Sequence, residues 1–293
     1  MIYDLSHITT FNYAANVDIS QHVVHLTPRR TPGQTVHRYA LLIDPTPTVS
    51  KASRDYFENL TTYLTVEQPH RRLRITSNSR VEVTSQPSPE PSTTAPWDAV
   101  KTAVEGAVDA PSLHAAQFAF ESQFTVSVGA YEYALPSFPE GRPLLEAAID
   151  LMRRIFKDFK YEGGATDIYT PIDTVLKLRR GVCQDFAHLQ IACLRAFNLP
   201  ARYVSGYLLT HPPEGQEKLV GSDASHAWLS VWVPEHGWVD LDPTNNVVPT
   251  DEHITVAWGR DYGDVSPISG MVLGGGEQKI KVEVDVRPAK ITC

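Results

Sequence analysis

Residues 179–207 read RRGVCQDFAHLQIACLRAFNLPARYVSGY and predict a helix that leads directly into a strand. The helix is expected to begin near Cys183, because apolar side chains then recur at the spacing of one helix face. These side chains are Phe186, Leu189, Cys193 and Phe197. The sequence NLP ends the helix, since proline cannot continue it. The β-branched and aromatic residues that follow predict a strand over 201–209.

The segments on either side of this stretch predict more helices before it and more strands after it. Two strands are expected downstream, at 227–233 and 238–241, with a hairpin-like link of sequence PEHG between them. Upstream, the apolar spacing predicts helices over 97–108, 112–124 and 142–159. The apolar stripe of the last helix consists of Leu145, Ala148, Ile149, Met152 and Ile155 or Phe156. This order of elements favours an α+β core.

The N-terminal part of the chain has the pattern of a β-rich domain. Alternating or β-branched residues predict four strands, at 20–26, 39–43, 60–67 and 73–84. Turn-forming clusters such as PRRTPG and DPTP separate them. We therefore expect a small antiparallel β-sandwich over residues 1–84.

The boundary after this domain is marked by proline. Residues 84–96, TSQPSPEPSTTAP, contain four prolines and almost no apolar side chains, so 85–96 are predicted to be a linker. The core then occupies 97–293 and ends in a strand over 278–286, where KIKVEVDV alternates strictly.

Composition excludes several classes of protein. Apolar residues make up 42% and charged residues 20%, which is typical of a globular chain. The net charge of -8 disfavours binding to nucleic-acid phosphates, and three scattered cysteines without a C-x-x-C pair favour neither a disulfide framework nor a thiolate zinc site. No apolar run approaches the length of a membrane span and the N-terminus has no signal-peptide pattern, so we expect a cytoplasmic protein with no membrane partner.

A cysteine, a histidine and an aspartate between residues 183 and 242 indicate thiol chemistry. A cysteine at the start of a helix lies near the positive end of the helix dipole, which favours the thiolate, and Gly181 allows close backbone approach just before Cys183. His226 opens a predicted strand and is a candidate base for that thiol. A carboxylate at the end of the next strand, Asp240 or Asp242, could hold the imidazole in one tautomer. Strand periodicity does not choose between the two, since residues two apart share a face.

Other residues of these types have simpler explanations. Cys193 lies on the apolar stripe of its helix and is assigned to the core, and Cys293 is terminal. His188 is five positions from Cys183 on the same helix, which turns it away, so it is assigned a packing role. Asp185 lies in the first helical turn, where the dipole stabilises a carboxylate without any catalytic role. Trp228 and Trp238 are assigned to the core.

The sequence resembles bacterial transglutaminase-like proteins. GVCQDFAHL with LPARYVSGY resembles their nucleophile helix, SHAW their histidine motif and WVDLDPTNN their aspartate motif, in the expected order. LTPRRTPGQTV, DPTP and PHRRLRI resemble the β-rich domain that precedes the core in this group, and GRDYGDVSPISGMVLGGG resembles its C-terminal segment. One departure is Glu58 in DYFENL, where the pattern has glycine; we expect it to alter a turn and not the site.

The resemblance implies a papain-like α+β core and a triad of Cys183, His226 and Asp242, since the pattern places the orienting acid directly before a proline. It also implies acyl-enzyme chemistry on amides of a peptide or protein substrate. We expect no cofactor and no metal, and because the sequence holds no clear dense acidic calcium loop, calcium dependence is not implied. An oxyanion hole would use the backbone N–H of Cys183 and a second donor expected near Tyr169 or Thr170.

Hydrolysis by a peptidase or amidase is the favoured reaction. The alternatives are a transglutaminase that uses an amine acceptor and a non-catalytic peptide-binding protein that keeps the fold. A metalloenzyme is disfavoured, because the chain lacks a ligand motif such as H-E-x-x-H.

Overall fold

The computed structural model describes residues 1–210 and 225–289. Within these ranges the chain forms thirteen strands and seven α-helices. The strands are β1 (Ile2–Val24), β2 (Gln34–Asp44), β3 (Val49–Arg54), β4 (Leu60–Val66), β5 (His70–Val83), β6 (Lys160–Tyr161), β7 (Arg180–Gly181), β8 (Ala201–Leu208), β9 (Ser225–Val233), β10 (Gly237–Leu241), β11 (His253–Gly259), β12 (Ile268–Gly274) and β13 (Gln278–Pro288). The helices are α1 (Trp97–Glu105), α2 (Ala110–Ala116), α3 (Ala130–Ala134), α4 (Leu144–Asp158), α5 (Ile172–Leu178), α6 (Cys183–Arg195) and α7 (Tyr262–Val265). None of these helices has both the length and the apolar character needed to cross a bilayer.

The N-terminal region is β-rich, as predicted, and its strands form one antiparallel sheet. The order is β2-β5-β1-β4-β3, and β12 and β13 also pair with β1. The long strand β1 organises this sheet, since it pairs with β4, β5, β12 and β13 along its length. One apolar cluster, which includes Phe11, Leu64, Leu73 and Ile75, lies within the sheet region, while Tyr3 and Val81 join the larger core that contains α4 and α6.

The sequence patterns missed most of β1 and all of β3. The buried face of β1 carries His7 and Thr9 between apolar residues, so its alternation is hidden from a hydrophobicity pattern. The His7 imidazole bonds the Tyr207 hydroxyl at 2.8 Å and the Thr9 hydroxyl at 2.9 Å, which explains how these polar groups are accommodated. β3 is almost entirely exposed and has no apolar face to detect.

Glu58 lies in the turn between β3 and β4 with φ of 62°, the left-handed region in which glycine is unstrained. The carboxylate of Asp55 accepts the backbone N–H groups of Phe57 and Asn59, both at 2.8 Å, and holds the turn closed. The departure at this position therefore falls on a turn, as expected.

The C-terminal strand was expected to belong to the core, and its pairing partner lies in the N-terminal sheet. β13 pairs with β1, with Tyr3 opposite Pro288 and Tyr13 opposite Gln278. Val284 and Val286 are fully buried there. Alternation shows that a segment is a strand and carries no information on its partner, so this pairing had to come from the structure. The proposed division at residues 84 and 96 stays a prediction.

The core consists of helices packed on a second antiparallel sheet with the order β10-β9-β8-β11. α4 and α6 match the predicted helices, and the α4 stripe is buried except for Phe156, which is 49% exposed. The second predicted helix is shorter than expected, because α2 ends at Ala116 and continues only as a 3₁₀ turn over Gln117–Ala119. The sequence patterns missed α5 and β11.

Candidate active site

Three element ends meet at the candidate site. α6 begins at Cys183, β9 places His226 at its second position, and Asp242 directly follows the last residue of β10. β9 and β10 form a hairpin in which Leu229 lies opposite Leu241, so the start of one strand lies beside the end of the other. The fold therefore brings together all three residues that the sequence analysis selected.

The start of α6 is held by the carboxylate of Asp185. It accepts the backbone N–H of Val182 at 2.7 Å and the Thr166 hydroxyl at 2.6 Å. A Cβ atom on Gly181 would lie 2.6 Å from Asp185 Oδ2, so only glycine leaves room for this contact. This close approach confirms the prediction for Gly181, and the helix-capping contacts of Asp185 explain that residue without catalysis.

The His226 imidazole is bound on two sides. Its Nε2 lies 2.8 Å from Asp242 Oδ2, and the side chains are 9% and 0% exposed. Burial lowers the pKa of His226, but the hydrogen bonds that its charged form makes with Asp242 and Cys183 outweigh burial and raise the pKa to about 9. Because Asp242 occupies Nε2, the other ring nitrogen is the one left for the thiol.

Asp242 is enclosed by five donor groups, one of which is the backbone N–H of Asn245, 3.3 Å from Oδ1. His226 and His253 point their Nε2 atoms at Oδ2, at 2.8 and 3.0 Å. The Asn245 side-chain amide donates to Oδ2 at 2.7 Å, and the backbone N–H of Thr244 donates to Oδ1 at 2.9 Å. Burial would raise the pKa of Asp242, but the hydrogen bonds from His226, His253 and Asn245 hold it well below its usual value. The carboxylate therefore stays ionised behind the imidazole.

Asp240 has a different task. Its Oδ2 accepts the indole N–H of Trp228 at 3.0 Å, and its Oδ1 accepts the hydroxyl of Ser230. Trp228 is fully buried, as assigned, so Asp240 satisfies a buried donor. The structure thus separates the two acids that strand periodicity could not distinguish.

The remaining cysteine and histidine candidates pack in the core. Cys193 is fully buried with its thiol 3.4 Å from the Ala130 carbonyl, and burial raises its pKa. His188 stacks on Phe124 and Tyr203, and burial lowers its pKa to about 3. Both assignments from sequence are confirmed. Cys293 lies outside the described residues.

The second oxyanion donor was predicted near Tyr169 or Thr170, and the backbone N–H groups of both residues already have acceptors. The backbone N–H of Tyr169 donates to the Asp167 carboxylate at 2.9 Å, and that of Thr170 donates to the Asp167 carbonyl at 3.1 Å. Both groups are engaged in a local turn. The backbone N–H of Cys183 has no acceptor within its helix, because it is the first helical residue.

Sequence reasoning missed His253 and Asn245. Asn245 lies inside the quoted motif WVDLDPTNN, three residues after Asp242, so a turn that folds back on the carboxylate could have been anticipated. His253 opens β11, a strand that carried no detected signal, and only the register of β11 on β8 brings it to Asp242.

The atoms of His226, Asp242 and His253 also satisfy a distance criterion for metal binding. Their ligand atoms all lie within 4.8 Å of one another. Both imidazole Nε2 atoms, however, already lie at hydrogen-bond distance from the same carboxylate oxygen. Hydrogen bonding therefore accounts for this arrangement without an ion.

Comparison with known families gives two matches. Residues 3–82 match the bacterial transglutaminase-like N-terminal region, and residues 137–243 match the transglutaminase-like superfamily. The second match contains Cys183, His226 and Asp242.

Similar proteins extend these matches to the whole chain. An uncharacterized protein of Mycobacterium tuberculosis is 43% identical over 296 residues, which cover 98% of this chain and 92% of that protein. A protein-glutamine gamma-glutamyltransferase of Pseudomonas aeruginosa is 40% identical over 78 residues, 26% of this chain and 12% of that protein. A solved structure named "Putative Cysteine Protease", from Cytophaga hutchinsonii, has the same fold, with a TM-score of 0.76, 20% identity, and coverage of 98% of this chain and 90% of that one.

Proposed function

The chain belongs to the transglutaminase-like superfamily, and on that premise we propose that it hydrolyses peptide or isopeptide amide bonds through a thioester on Cys183. The observation that carries the proposal is the His226 imidazole, which interacts with both Cys183 and Asp242. An imidazole with a thiol on one nitrogen and a buried carboxylate on the other is the arrangement that nucleophilic catalysis by cysteine needs.

The first half-reaction follows from the raised pKa of His226, about 9. Near neutral pH the imidazole is therefore protonated, and the thiolate is the form of a cysteine that acts as a nucleophile. The thiolate attacks the amide carbon, a C–S bond forms, and the carbonyl oxygen gains negative charge that the Cys183 backbone N–H stabilises. The C–N bond then breaks, and the proton of the imidazolium passes to the leaving amine.

The second half-reaction uses the same residues in reverse. The neutral imidazole takes a proton from water, and the oxygen attacks the thioester carbon. The C–S bond breaks, the acid product leaves, and the thiolate and imidazolium are restored. Asp242 stays ionised throughout and holds the imidazole in the tautomer whose free nitrogen faces the sulfur.

A second candidate reaction is acyl transfer to an amine. The 78-residue similarity to a protein-glutamine gamma-glutamyltransferase favours it, and an amine could resolve the same Cys183 thioester. The two functions differ only in whether water or an amine resolves the thioester. A non-catalytic peptide-binding role is less well supported, since Cys183, His226 and Asp242 are all present.

The test is incubation with a broad peptide mixture, with and without a primary amine donor, read by mass spectrometry. We expect cleaved or deamidated peptides from the wild-type protein, and amine adducts if the second reaction operates. Cys183→Ala should be inactive, whereas Cys193→Ala, the same change at a buried packing cysteine, should keep activity. Products of equal yield from Cys183→Ala would contradict the proposal.

A further inference from the structure

A cavity of roughly 660 Å³ lies on the side of the core sheet where His253 reaches Asp242. Its walls come mainly from β8, β10 and β11 of the core, from residues 248–250 between the last two strands, and from two N-terminal segments, 31–34 and 83–89. Much of the wall is apolar or aromatic, including Val83, Val204, Trp238, Val248 and Trp258. This volume falls in the range of pockets that bind small molecules.

Among the described residues, two permanently charged side chains line the cavity, Arg202 and Asp240, and the guanidinium of Arg202 is 7% exposed. The guanidinium lies over two indoles, with its Cζ 4.4 Å from the centroid of the Trp238 ring and 3.7 Å from the centroid of the Trp258 ring. A second guanidinium, that of Arg29, lies 3.6 Å from the Trp258 ring. The stack fixes the plane of Arg202 and therefore the direction of its N–H groups.

Within the part of the chain that the structure describes, Arg202 donates a hydrogen bond from one of its three guanidinium nitrogens. Its Nε donates to the Ser230 hydroxyl at 3.3 Å, and no residue in the described ranges accepts a hydrogen bond from Nη1 or Nη2. Asp240 attracts the charge but forms no ion pair with it in those ranges, and its oxygens accept Trp228 and Ser230. Burial lowers the pKa of Arg202 to about 9, which reflects the cost of this placement.

We infer that this cavity binds a carboxylate that carries an apolar body, with the carboxylate on the two terminal nitrogens of Arg202. A planar guanidinium offers two parallel N–H donors, which match the two oxygens of a carboxylate. The apolar part of the ligand would lie against Val204, Val248 and the ring of Trp238. The ligand is either a free organic acid or the C-terminal carboxylate of a peptide, since both present this chemistry.

The test is calorimetric titration of the full-length protein with 3-phenylpropanoate and with N-acetylphenylalanine, each compared with its uncharged amide. We expect at least one acid to bind about tenfold or more tightly than its amide, because only the acid can accept both N–H groups with a full charge. Binding of the first acid alone indicates a free acid as ligand, and binding of the second alone indicates a peptide terminus. Failure of both acids to bind, or equal binding of acid and amide, overturns the inference.

Variants locate the binding at Arg202. Arg202→Met should lose acid binding while remaining folded, because an apolar side chain of similar length can replace a buried charge. Arg202→Lys should bind weakly, since it keeps the charge and loses the paired donors. Arg71→Met, which removes an exposed guanidinium, and Cys183→Ala should bind as the wild type does. Undiminished acid binding by both Arg202 variants overturns the inference.

Discussion

Asp242 and Asp240 are two residues apart and perform separate tasks, one on the His226 imidazole and one on Trp228 and Ser230. We expect Asp242→Asn to lower kcat/KM on the order of 10²–10⁴-fold, because an amide N–H can face the ring where an acceptor is needed. Asp240→Asn should lower activity by about tenfold or less and should mainly lower the free energy of unfolding, by about 1–3 kcal/mol. Activity is to be compared at temperatures well below both melting points. If Asp240→Asn is the more inactive variant, the assignment of the triad acid is wrong.

The ionisation of His226 gives a second test at this scale. Its pKa is about 9 in the folded protein against an ordinary value of 6.5. The charged imidazole therefore stabilises the fold fully below pH 6.5, and this contribution is lost as the pH rises through about 9. Asp242→Asn removes one of the groups that raise the pKa of His226, so the pKa of His226 should fall toward 6.5. NMR titration of the imidazole measures both values, and an equal pKa in the two proteins would argue against the Asp242 contact.

His253 is a positioning residue in this scheme, because it bonds Asp242 at 3.0 Å and not the thiol. His253→Leu should lower kcat on the order of 10-fold to 100-fold with little change in KM, since it removes a hydrogen bond to a buried charge. His253→Gln keeps an N–H donor and should recover part of the loss. A rise in KM without a fall in kcat would instead place His253 in substrate binding.

The start of α6 depends on the close packing of Gly181 against the carboxylate of Asp185, which caps the helix. Gly181→Ala would place a Cβ 2.6 Å from Asp185 Oδ2, so the cap or the helix start must move. We expect a loss of about 1–3 kcal/mol in the free energy of unfolding and a larger loss of activity, since Cys183 begins the helix. Denaturant unfolding and peptide hydrolysis measure the two effects. Gly163→Ala is the control, because a Cβ there meets no atom within 4 Å.

At the scale of the whole molecule, one buried apolar cluster joins the N-terminal sheet to the core sheet. Val284 of β13, Tyr3 of β1 and Leu189 of α6 belong to the same buried cluster. We expect Val284→Ala to lower the free energy of unfolding by about 2–3 kcal/mol, because it leaves a cavity in that core. Val282→Ala, on the same strand but 51% exposed, should change it by about 0.5 kcal/mol or less.

Because the two sheets share this core, we expect them to unfold together. A single unfolding transition, shifted as a unit in Val284→Ala, is expected from circular dichroism and from the fluorescence of the core tryptophans. Two separate transitions, of which only one responds to Val284→Ala, would indicate that the sheet and the core unfold independently.

Local patterns were sufficient for the elements that bear the candidate site. The apolar spacing after Cys183 predicts α6, and the hairpin link predicts β9 and β10. These are properties of short segments, in which side-chain period and turn residues determine conformation. The choice of Asp242 over Asp240 came from the resemblance to transglutaminase-like proteins and not from these local patterns. Position within a segment also identified Asp185 and Cys193 as structural, since each is explained by its own helix.

Local sequence patterns do not predict contacts between segments that are far apart in the chain. The pairing of β13 with β1, the approach of His253 to Asp242 and the enclosure of Arg202 by Trp238 and Trp258 each join residues that are far apart in the chain or on different strands. A strand pattern specifies which side chains share a face but not which strand lies beside it. Strand periodicity likewise could not separate Asp240 from Asp242, because both lie on one face. Their packed neighbours, an indole for Asp240 and an imidazole for Asp242, give the physical distinction.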